Sequence, residues 1–416
     1  MQEYRKPPCD LRQKPIGKGG NGCVYLLDGR RKTTCVVKVF MVDKPISKEK
    51  LTRRYKRFCK EVVTQHKLGN EIDGVLPVID YCINDDYSKE YPSWFVMPRA
   101  EKFQVHRNEN IENKLYQMKE LGKIIQKLHI FKIAHRDIKP SNILLVNNKI
   151  YLSDFGLVWL DEEEHITLRG EKVGPSRIIP PELCEIDELA RCDYRKSDVY
   201  LFAKVLWMYI KGDRFGFYGP YYRCASQIVL SCHEYEINTF EPLHELMEKA
   251  TKDNWQERID IGECLRLIEH QIMIINGTSE SELLDKYRRR EILNKIDASV
   301  KPNYNVFSEP ETMQLVLKEI IPGIQIIFDI EMQVICIRPY KVKQLSSSIF
   351  VFYQAQMGER VEKTAIHLDR IEKHSEKLVL VINKLSKEEK TSITEAGFET
   401  LDYDATGVIN IQIFDS

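Results

Sequence analysis

The segment His135-Arg136-Asp137-Ile138-Lys139-Pro140-Ser141-Asn142 holds the densest chemistry in the chain. It sets a carboxylate, a cation and an amide carbonyl within one short loop. Asp137 can accept a proton from an attacking hydroxyl, Lys139 can stabilise a transferring phosphoryl group, and Asn142 can hold a metal ion. Twelve residues past Asn142 comes Asp154-Phe155-Gly156, after the stretch Lys149–Ser153, which reads as strand. A carboxylate at such a strand end can bind Mg²⁺ that bridges phosphates.

Far upstream, Gly17-Lys18-Gly19-Gly20-Asn21-Gly22-Cys23-Val24 follows the pattern G-x-G-x-x-G-x-V. Glycines let a backbone come close to a phosphate and present N–H groups to it. Taken alone, the motif also fits a plain Gly-rich hairpin. A dinucleotide fold uses G-x-G-x-x-G to open a helix. Here Cys23-Val24-Tyr25-Leu26-Leu27 continues as strand, which favours a flap over a nucleotide. Fourteen residues after Val24, the apolar strand Cys35–Phe40 presents Lys38. A lysine among buried-type residues is costly unless paired. Lys38 either bridges phosphate oxygens and a carboxylate, with Glu61 as its natural partner, or snorkels to solvent.

In this order and spacing the motifs resemble the eukaryotic-type protein kinase family, in its Ser/Thr branch, over about residues 10–275. The resemblance implies an α+β, bilobal fold: a β-rich N-lobe over about 10–97 and a helical C-lobe over about 101–275. ATP and Mg²⁺ would lie in the cleft between the lobes. By the same resemblance, Ile16, Gly17, Gly19 and Gly22 cover ATP, and Lys38 pairs with Glu61. Val24, Val36 and Leu144 sandwich the adenine. Met97 is the gatekeeper, followed by Pro98-Arg99-Ala100 as the hinge. Asp137 is the catalytic base beside Lys139, and Asn142 and Asp154 bind Mg²⁺. Pro180-Pro181-Glu182 stands where the family has A-P-E, with Arg258 as the partner of Glu182. Asp198 is the residue that braces the catalytic loop.

Lys139 fits the Ser/Thr branch, since Tyr-specific members carry a different pattern with an arginine. One departure concerns substrate docking: Gly174 is followed by Pro175 and Ser176, where Ser/Thr kinases place a Thr directly after the Gly. Pro175 has no hydroxyl to bond Asp137 and Lys139. Arg136 precedes Asp137, and in the family that arginine couples activity to a phosphate on the activation segment. Only Thr167 and Ser176 carry hydroxyls between Leu157 and Glu182, and Thr167 is the expected autophosphorylation site. Two rival readings are a nucleotide-binding scaffold and a small-molecule kinase. The presence of Lys38, Asp137 and Asp154 argues against the first, and the Gly-rich flap with the P-P-E end of the activation segment argues against the second.

Several elements must position these groups. Residues Ile16–Phe40 read as strands around a Gly-rich turn, Lys48–Leu68 as a charged amphipathic helix, Ser93–Met97 as a short buried strand and Ile111–Ile130 as a long helix. From about Gln227 to Ile275 the pattern is mostly helical. Residues 276–302, with the basic run Arg288–Arg290, read as a helical linker. A small α/β or α+β domain is expected over 303–416. Every even position from Ile324 to Cys336 is apolar, which implies a half-buried strand or a hairpin. Leu378–Ile382, Phe398–Tyr403 and Val408–Phe414 read as strands. Ser386 with Glu389 forms a capping-box pattern, and Gly397 suits that helix's end. This domain shows no metal-ligand spacing and no nucleophile motif. It is expected to dock a regulatory partner.

Composition sets the frame. The chain has 416 residues, 43% hydrophobic and 30% charged, which suits a globular protein with a sizeable core. Lys plus Arg equals Asp plus Glu at 62 each, so overall charge gives no reason to expect nucleic acid or membrane as partner. The 11 cysteines show no C-x-x-C pair and read as thiols of a reducing, cytoplasmic compartment. The polar start, with Pro7 and Pro8, does not read as a signal peptide. The longest apolar stretch, Tyr200–Ile210, is interrupted by Lys204 and is too short for a bilayer, which needs about 20 residues.

Overall fold

In the computed structural model the described residues are 5–19, 22–27, 34–42, 45–105, 109–160, 178–184, 192–223, 225, 227–230, 240–278, 287, 293, 296, 305–321, 325–330, 333–355, 361–374, 377–401 and 405–410. The chain divides into two compact units, Met1–Tyr235 with Pro242–Ile275, and Glu236–Glu241 with Asn276–Ser416.

The first unit opens with a five-stranded antiparallel sheet. Its strands are β1 (Gly17–Gly19), β2 (Gly22–Leu26), β3 (Cys35–Val39), β4 (Asp80–Cys82) and β5 (Trp94–Pro98), in the order β1-β2-β3-β5-β4. Strand periodicity sorts its side chains. Cys23, Tyr25, Val37, Val39, Trp94 and Val96 form a core on one face. Register then sets Val24 opposite Lys38, Lys38 opposite Phe95, and Val36 opposite Met97 on the other face. Helix α1 (Lys48–Glu71) starts at Ser47, whose hydroxyl accepts from the Lys50 N–H, and packs Tyr55, Phe58 and Val62 against Phe40 and Phe95. Glu61 and Gln65, four apart on α1, are both buried.

Below the sheet come β6 (Glu101–Lys102), α2 (Ile111–Ile130), β7 (Ile133–Ala134), β8 (Ile143–Val146), β9 (Lys149–Leu152) and β10 (Trp159–Leu160). The β8–β9 hairpin turns at Asn147 and Asn148, both at positive φ, a conformation that asparagine tolerates. Helix α3 (Pro181–Cys184) is short. Helix α4 (Arg195–Lys211) is buried on nearly every side, which explains its almost continuous apolar sequence. Helices α5 (Glu241–Ala250) and α6 (Ile261–Ile275) follow.

Among the described residues the second unit is built on nine strands: β11 (Val306–Phe307), β12 (Gln325–Ile330), β13 (Gln333–Ile337), β14 (Pro339–Gln344), β15 (Ile349–Ala355), β16 (Val361–Lys373), β17 (Leu378–Asn383), β18 (Glu399–Thr400) and β19 (Ala405–Asn410). Seven run in the order β13-β12-β19-β17-β16-β15-β14, while β11 and β18 pair with β16. Every described pairing is antiparallel except β16 with β18. Segregated helices on an antiparallel sheet make the unit α+β. Helix α7 (Pro310–Ile320) contributes Met313, Val316 and Leu317 to a core with Phe328, Phe350, Phe352, Ile366 and Leu380. Leu293 and Ile296 join that core, so the stretch expected as a linker also packs here. Helix α8 (Lys387–Glu395) carries the capping box of Ser386 and Glu389 and covers Ile349, Val351 and Ala365 with Ile393.

The even-position alternation resolves as the hairpin β12–β13, but its apolar face switches. Ile330 pairs with Gln333, so facing residues change parity. Ile326 and Phe328 point to the core together with Ile335 and Ile337, whereas Cys336 is exposed. No disulfide joins the described cysteines.

Candidate active site

The catalytic-type loop is held from beneath by one carboxylate. Asp198, at the start of α4 and 0% exposed, accepts the His135 N–H and the Arg136 N–H, each at 2.7 Å. His129 Nε2 lies 3.1 Å from the same side chain. Two further contacts fix the loop. His135 Nε2 is 3.0 Å from the Ser153 carbonyl, and the His135 ring packs edge-on against Phe155, with centroids 4.8 Å apart. Arg136 sits at φ +65° and covers the Tyr194 ring at 4.3 Å. Burial pushes its guanidinium below the ordinary value.

On this support Asp137 is presented with a defined hydrogen-bond pattern. Lys139 Nζ donates to Asp137 Oδ2 at 2.6 Å, and Asn142 Nδ2 donates to the same oxygen and to the Asp137 carbonyl, both at 2.9 Å. Asp137 Oδ1 is buried and has no hydrogen-bond partner among the described residues. A buried carboxylate oxygen without a donor keeps an acceptor position that suits a hydroxyl proton. Burial pushes the Asp137 carboxyl up, against the pull of Lys139.

From the sheet above, Lys38 Nζ reaches Glu61 Oε1 at 2.5 Å, with side-chain exposures of 14% and 2%. Burial works against the charge of both groups and pushes Glu61 up, while the attraction of Glu61 and Asp154 keeps the Lys38 ammonium above its ordinary value. Asp154 stands at φ +67°, a left-handed conformation that L side chains rarely adopt, and its N–H donates to Gln65 Oε1 at 3.3 Å. Next to it, a Cβ on Gly156 would lie 3.2 Å from the Arg57 carbonyl on α1. The glycine thus allows the Asp154 turn and α1 to meet closely.

The structure therefore brings Lys38, Glu61, Asp137, Lys139 and Asn142 into two bonded groups, with the charge of Asp154 felt at both Lys38 and Asp137. Val24, Lys38 and Phe95 form one row across the sheet, with Val36 and Met97 in the next. Leu144 lies in β8 opposite Lys102, just past Ala100. The Arg99 N–H donates to the Thr34 carbonyl at 2.7 Å, so that hinge amide is spent within the protein. Ile16 is 51% exposed, at the open edge of the Gly-rich hairpin formed by Gly17, Gly19 and Gly22. A Cβ on Gly22 would collide with the Val39 carbonyl at 2.4 Å, which accounts for one of the three glycines by packing. Among the described residues no three His, Cys, Asp or Glu side chains converge as a metal site. Asn142 and Asp154 offer oxygens that suit an ion taking its other ligands from phosphate and water.

Glu182 and Arg258 form a bidentate pair at 2.6 and 2.9 Å, with Arg258 0% exposed, and Ser197 Oγ donates to Glu182 at 2.6 Å. Thr167 and Gly174-Pro175-Ser176 lie outside the described residues. Reading the sequence missed two contributors, Gln65 and His129. Gln65 had a signal, since it stands one helical turn after Glu61 on the same face. His129 had none, because its link to Asp198 spans 69 residues.

Comparison with known proteins adds an independent line. The model of the protein kinase domain family matches residues 11–267. Serine/threonine-protein kinase F of Synechocystis is 29% identical over 163 residues, covering 36% of this chain and 33% of that protein. Calcium-dependent protein kinase 3 of Plasmodium berghei is 24% identical over 273 residues, 62% of this chain and 46% of that protein. Serine/threonine-protein kinase CHK1 of Saccharomyces cerevisiae is 28% identical over 208 residues, 48% and 38%. The chain thus spans from a third to under half of the length of these relatives.

Proposed function

The chain belongs to the protein kinase family, and from that premise we propose that it transfers the γ-phosphoryl group of ATP to serine and threonine hydroxyls of protein substrates. The observation that carries the reading is the arrangement around Asp137, whose Oδ2 is engaged by Lys139 and Asn142 while the buried Oδ1 has no hydrogen-bond partner among the described residues. A substrate hydroxyl placed at Oδ1 would give its proton to Asp137 as its oxygen bonds to the γ-phosphorus. The bond from that phosphorus to the β–γ bridging oxygen breaks, and ADP leaves. Lys139 would neutralise charge on the moving phosphoryl oxygens, and Lys38, fixed by Glu61, would hold the α- and β-phosphates. Asn142 and Asp154 would hold Mg²⁺, which supplies further charge neutralisation on the phosphates. Catalysis on this account is positioning plus electrostatics.

The adenine would lie between Val24 and Val36 above and Leu144 below, along Met97, Arg99 and Ala100, with the phosphates beneath Ile16, Gly17, Gly19 and Gly22. The protein-kinase names of the relatives and Lys139 support a Ser/Thr protein substrate over a small molecule. The second unit is assigned a regulatory docking role. A chain ending at Ile275 that keeps full activity and substrate choice would remove that role. Among the described residues no helix is long and apolar enough to cross a membrane.

Phosphoamino-acid analysis after incubation with γ-labelled ATP tests the substrate class. Label on serine or threonine of a protein acceptor is expected. Label confined to tyrosine, or to small metabolites, would contradict the proposal.

A further inference from the structure

Arg136, the residue before Asp137, is held in two ways. Its N–H is accepted by Asp198, in the first turn of α4. Its guanidinium lies over the Tyr194 ring, with Cζ 4.3 Å from the centroid. Tyr194 is the N-cap residue of the same helix. One helix start therefore grips both the main chain and the side chain of Arg136. Arg136 is 3% exposed, and a desolvated guanidinium needs a compensating partner. The face of an aromatic ring is such a partner, and its pull on a cation grows as water is excluded.

The Tyr194 ring is itself fixed. Trp159 packs edge-on against it, with centroids 5.8 Å apart. Trp159 lies in β10 and pairs with Ala134 of β7, directly before His135. The turn that carries Tyr194 is closed around Asp193. That carboxylate accepts the Arg195 N–H at 3.1 Å and the Arg195 guanidinium at 2.8 and 2.9 Å. The Asp193 carbonyl accepts the Lys196 N–H at 2.9 Å. Burial pushes the Tyr194 hydroxyl up, so the ring stays neutral.

The backbone shows what this grip is for. Arg136 stands at φ +65°, a left-handed conformation that persists only where its surroundings hold it. Asp137 follows directly, so this dihedral aims its carboxylate. An Arg136 without its grip would relax toward an ordinary conformation and turn Asp137 with it. The family resemblance gives this arginine a phosphate on the activation segment as partner. In this chain a ring encoded in the sequence takes the guanidinium, and it is present before any modification.

We propose that Tyr194 is a positioning residue for the catalytic loop: its ring holds Arg136, and through it Asp137, so that phosphoryl transfer does not require a phosphate on the activation segment. The inference deepens the kinase reading above and rests on it. Phosphate on Thr167 would then be a product of activity and not its condition.

The test uses the full chain with ATP, Mg²⁺ and myelin basic protein as acceptor. Wild type, Tyr194→Leu and Tyr194→Phe are each prepared in two states, stripped by a phosphatase that is then removed, and autophosphorylated with unlabelled ATP. Intact mass reports the phosphate content, and initial rates are compared. Stripped wild type is expected to transfer without a lag, within about twofold of the autophosphorylated protein. Tyr194→Leu should lower kcat about tenfold or more, with KM for ATP within about twofold. Tyr194→Phe, which keeps the ring, should retain kcat within about twofold. A lag, or a tenfold lower initial rate, in stripped wild type overturns the inference. So does a folded Tyr194→Leu with wild-type kcat, or one that loses ATP affinity along with kcat. A Tyr194→Phe as impaired as Tyr194→Leu would assign the effect to the hydroxyl and overturn it too. If Tyr194→Leu does not fold, stripped wild type and Tyr194→Phe still decide the case. Failure of the wild type to transfer phosphate in either state would overturn the kinase reading itself, whereas transfer by the phosphorylated state alone overturns only this inference.

Discussion

The two units bury different things. In the first, Glu61, Gln65, His135, Arg136, Asp137, Asn142, Asp198, Lys204 and Arg258 are all nearly inaccessible. In the nine-stranded sheet the buried side chains among the described residues are apolar, with Phe328, Phe350, Phe352, Ile366 and Leu380 at its centre. Desolvated charge is costly and is retained where it is fully partnered or where an atom is left open for a ligand. Both cases occur in the first unit: Asp198 is saturated with donors, and Asp137 Oδ1 has no hydrogen-bond partner among the described residues. The second unit has the interior of a structure held by packing, so whatever it recognises must meet its outside. Among the described residues the buried polar networks lie in the first unit.

Breaking a network in the first unit should cost most. Arg258→Met leaves Glu182 uncompensated and should lower stability by about 3–5 kcal/mol, measured by urea denaturation. A loss under about 1 kcal/mol would mean that the pair is solvated and the contrast overstated. In the second unit Leu380→Ala, at a position 0% exposed, should cost about 2–5 kcal/mol by leaving a cavity. Its ATP affinity below the unfolding transition should match wild type, and a shift would show that the sheet does more than pack.

A pH experiment sharpens the contrast further. Burial, aided by the Arg223 charge, pushes His244 down to about 3. Its Nδ1 lies 2.8 Å from the Tyr221 hydroxyl, which accepts the Leu230 N–H. A folded-state value below the unfolded one means that the stabilisation is complete above about pH 6.5 and is lost as pH falls from there toward 3. The wild type should therefore lose on the order of 4 kcal/mol relative to His244→Asn across that window. Parallel stability profiles would refute the buried neutral imidazole. Ser386→Ala, which removes the α8 cap, should cost only about 1 kcal/mol.

How much could be read beforehand follows from distance along the chain. Asp137, Lys139 and Asn142 sit within one loop, so their types and spacing disclosed that they lie together, whereas the bonds of Lys139 and Asn142 to Asp137 are seen only in the structure. Lys38 and Glu61 lie 23 residues apart, and it took the order of several motifs to pair them. Lys204 was visible only as an interruption of an apolar run. Its partners are carbonyls at 217 and 219, and a backbone acceptor leaves no trace in residue type. The β12–β13 hairpin shows a different limit. Alternation revealed strands, but the register that pairs Ile330 with Gln333 reverses which parity faces inward, so Cys336 is exposed while Ile337 is buried. In the second unit periodicity gave strands without a function, because an apolar interior encodes packing alone.

The central claim is that Asp137 receives the substrate proton, and single-turnover transfer from γ-labelled ATP with Mg²⁺ by wild type and Asp137→Asn tests it most directly. The asparagine keeps the shape and the neighbours of Asp137 and removes its basicity. We expect nucleotide affinity to be unchanged and the transfer rate to fall by about 10²–10⁴. A variant that transfers phosphate at the wild-type rate would contradict the assignment of Asp137 and the mechanism built on it.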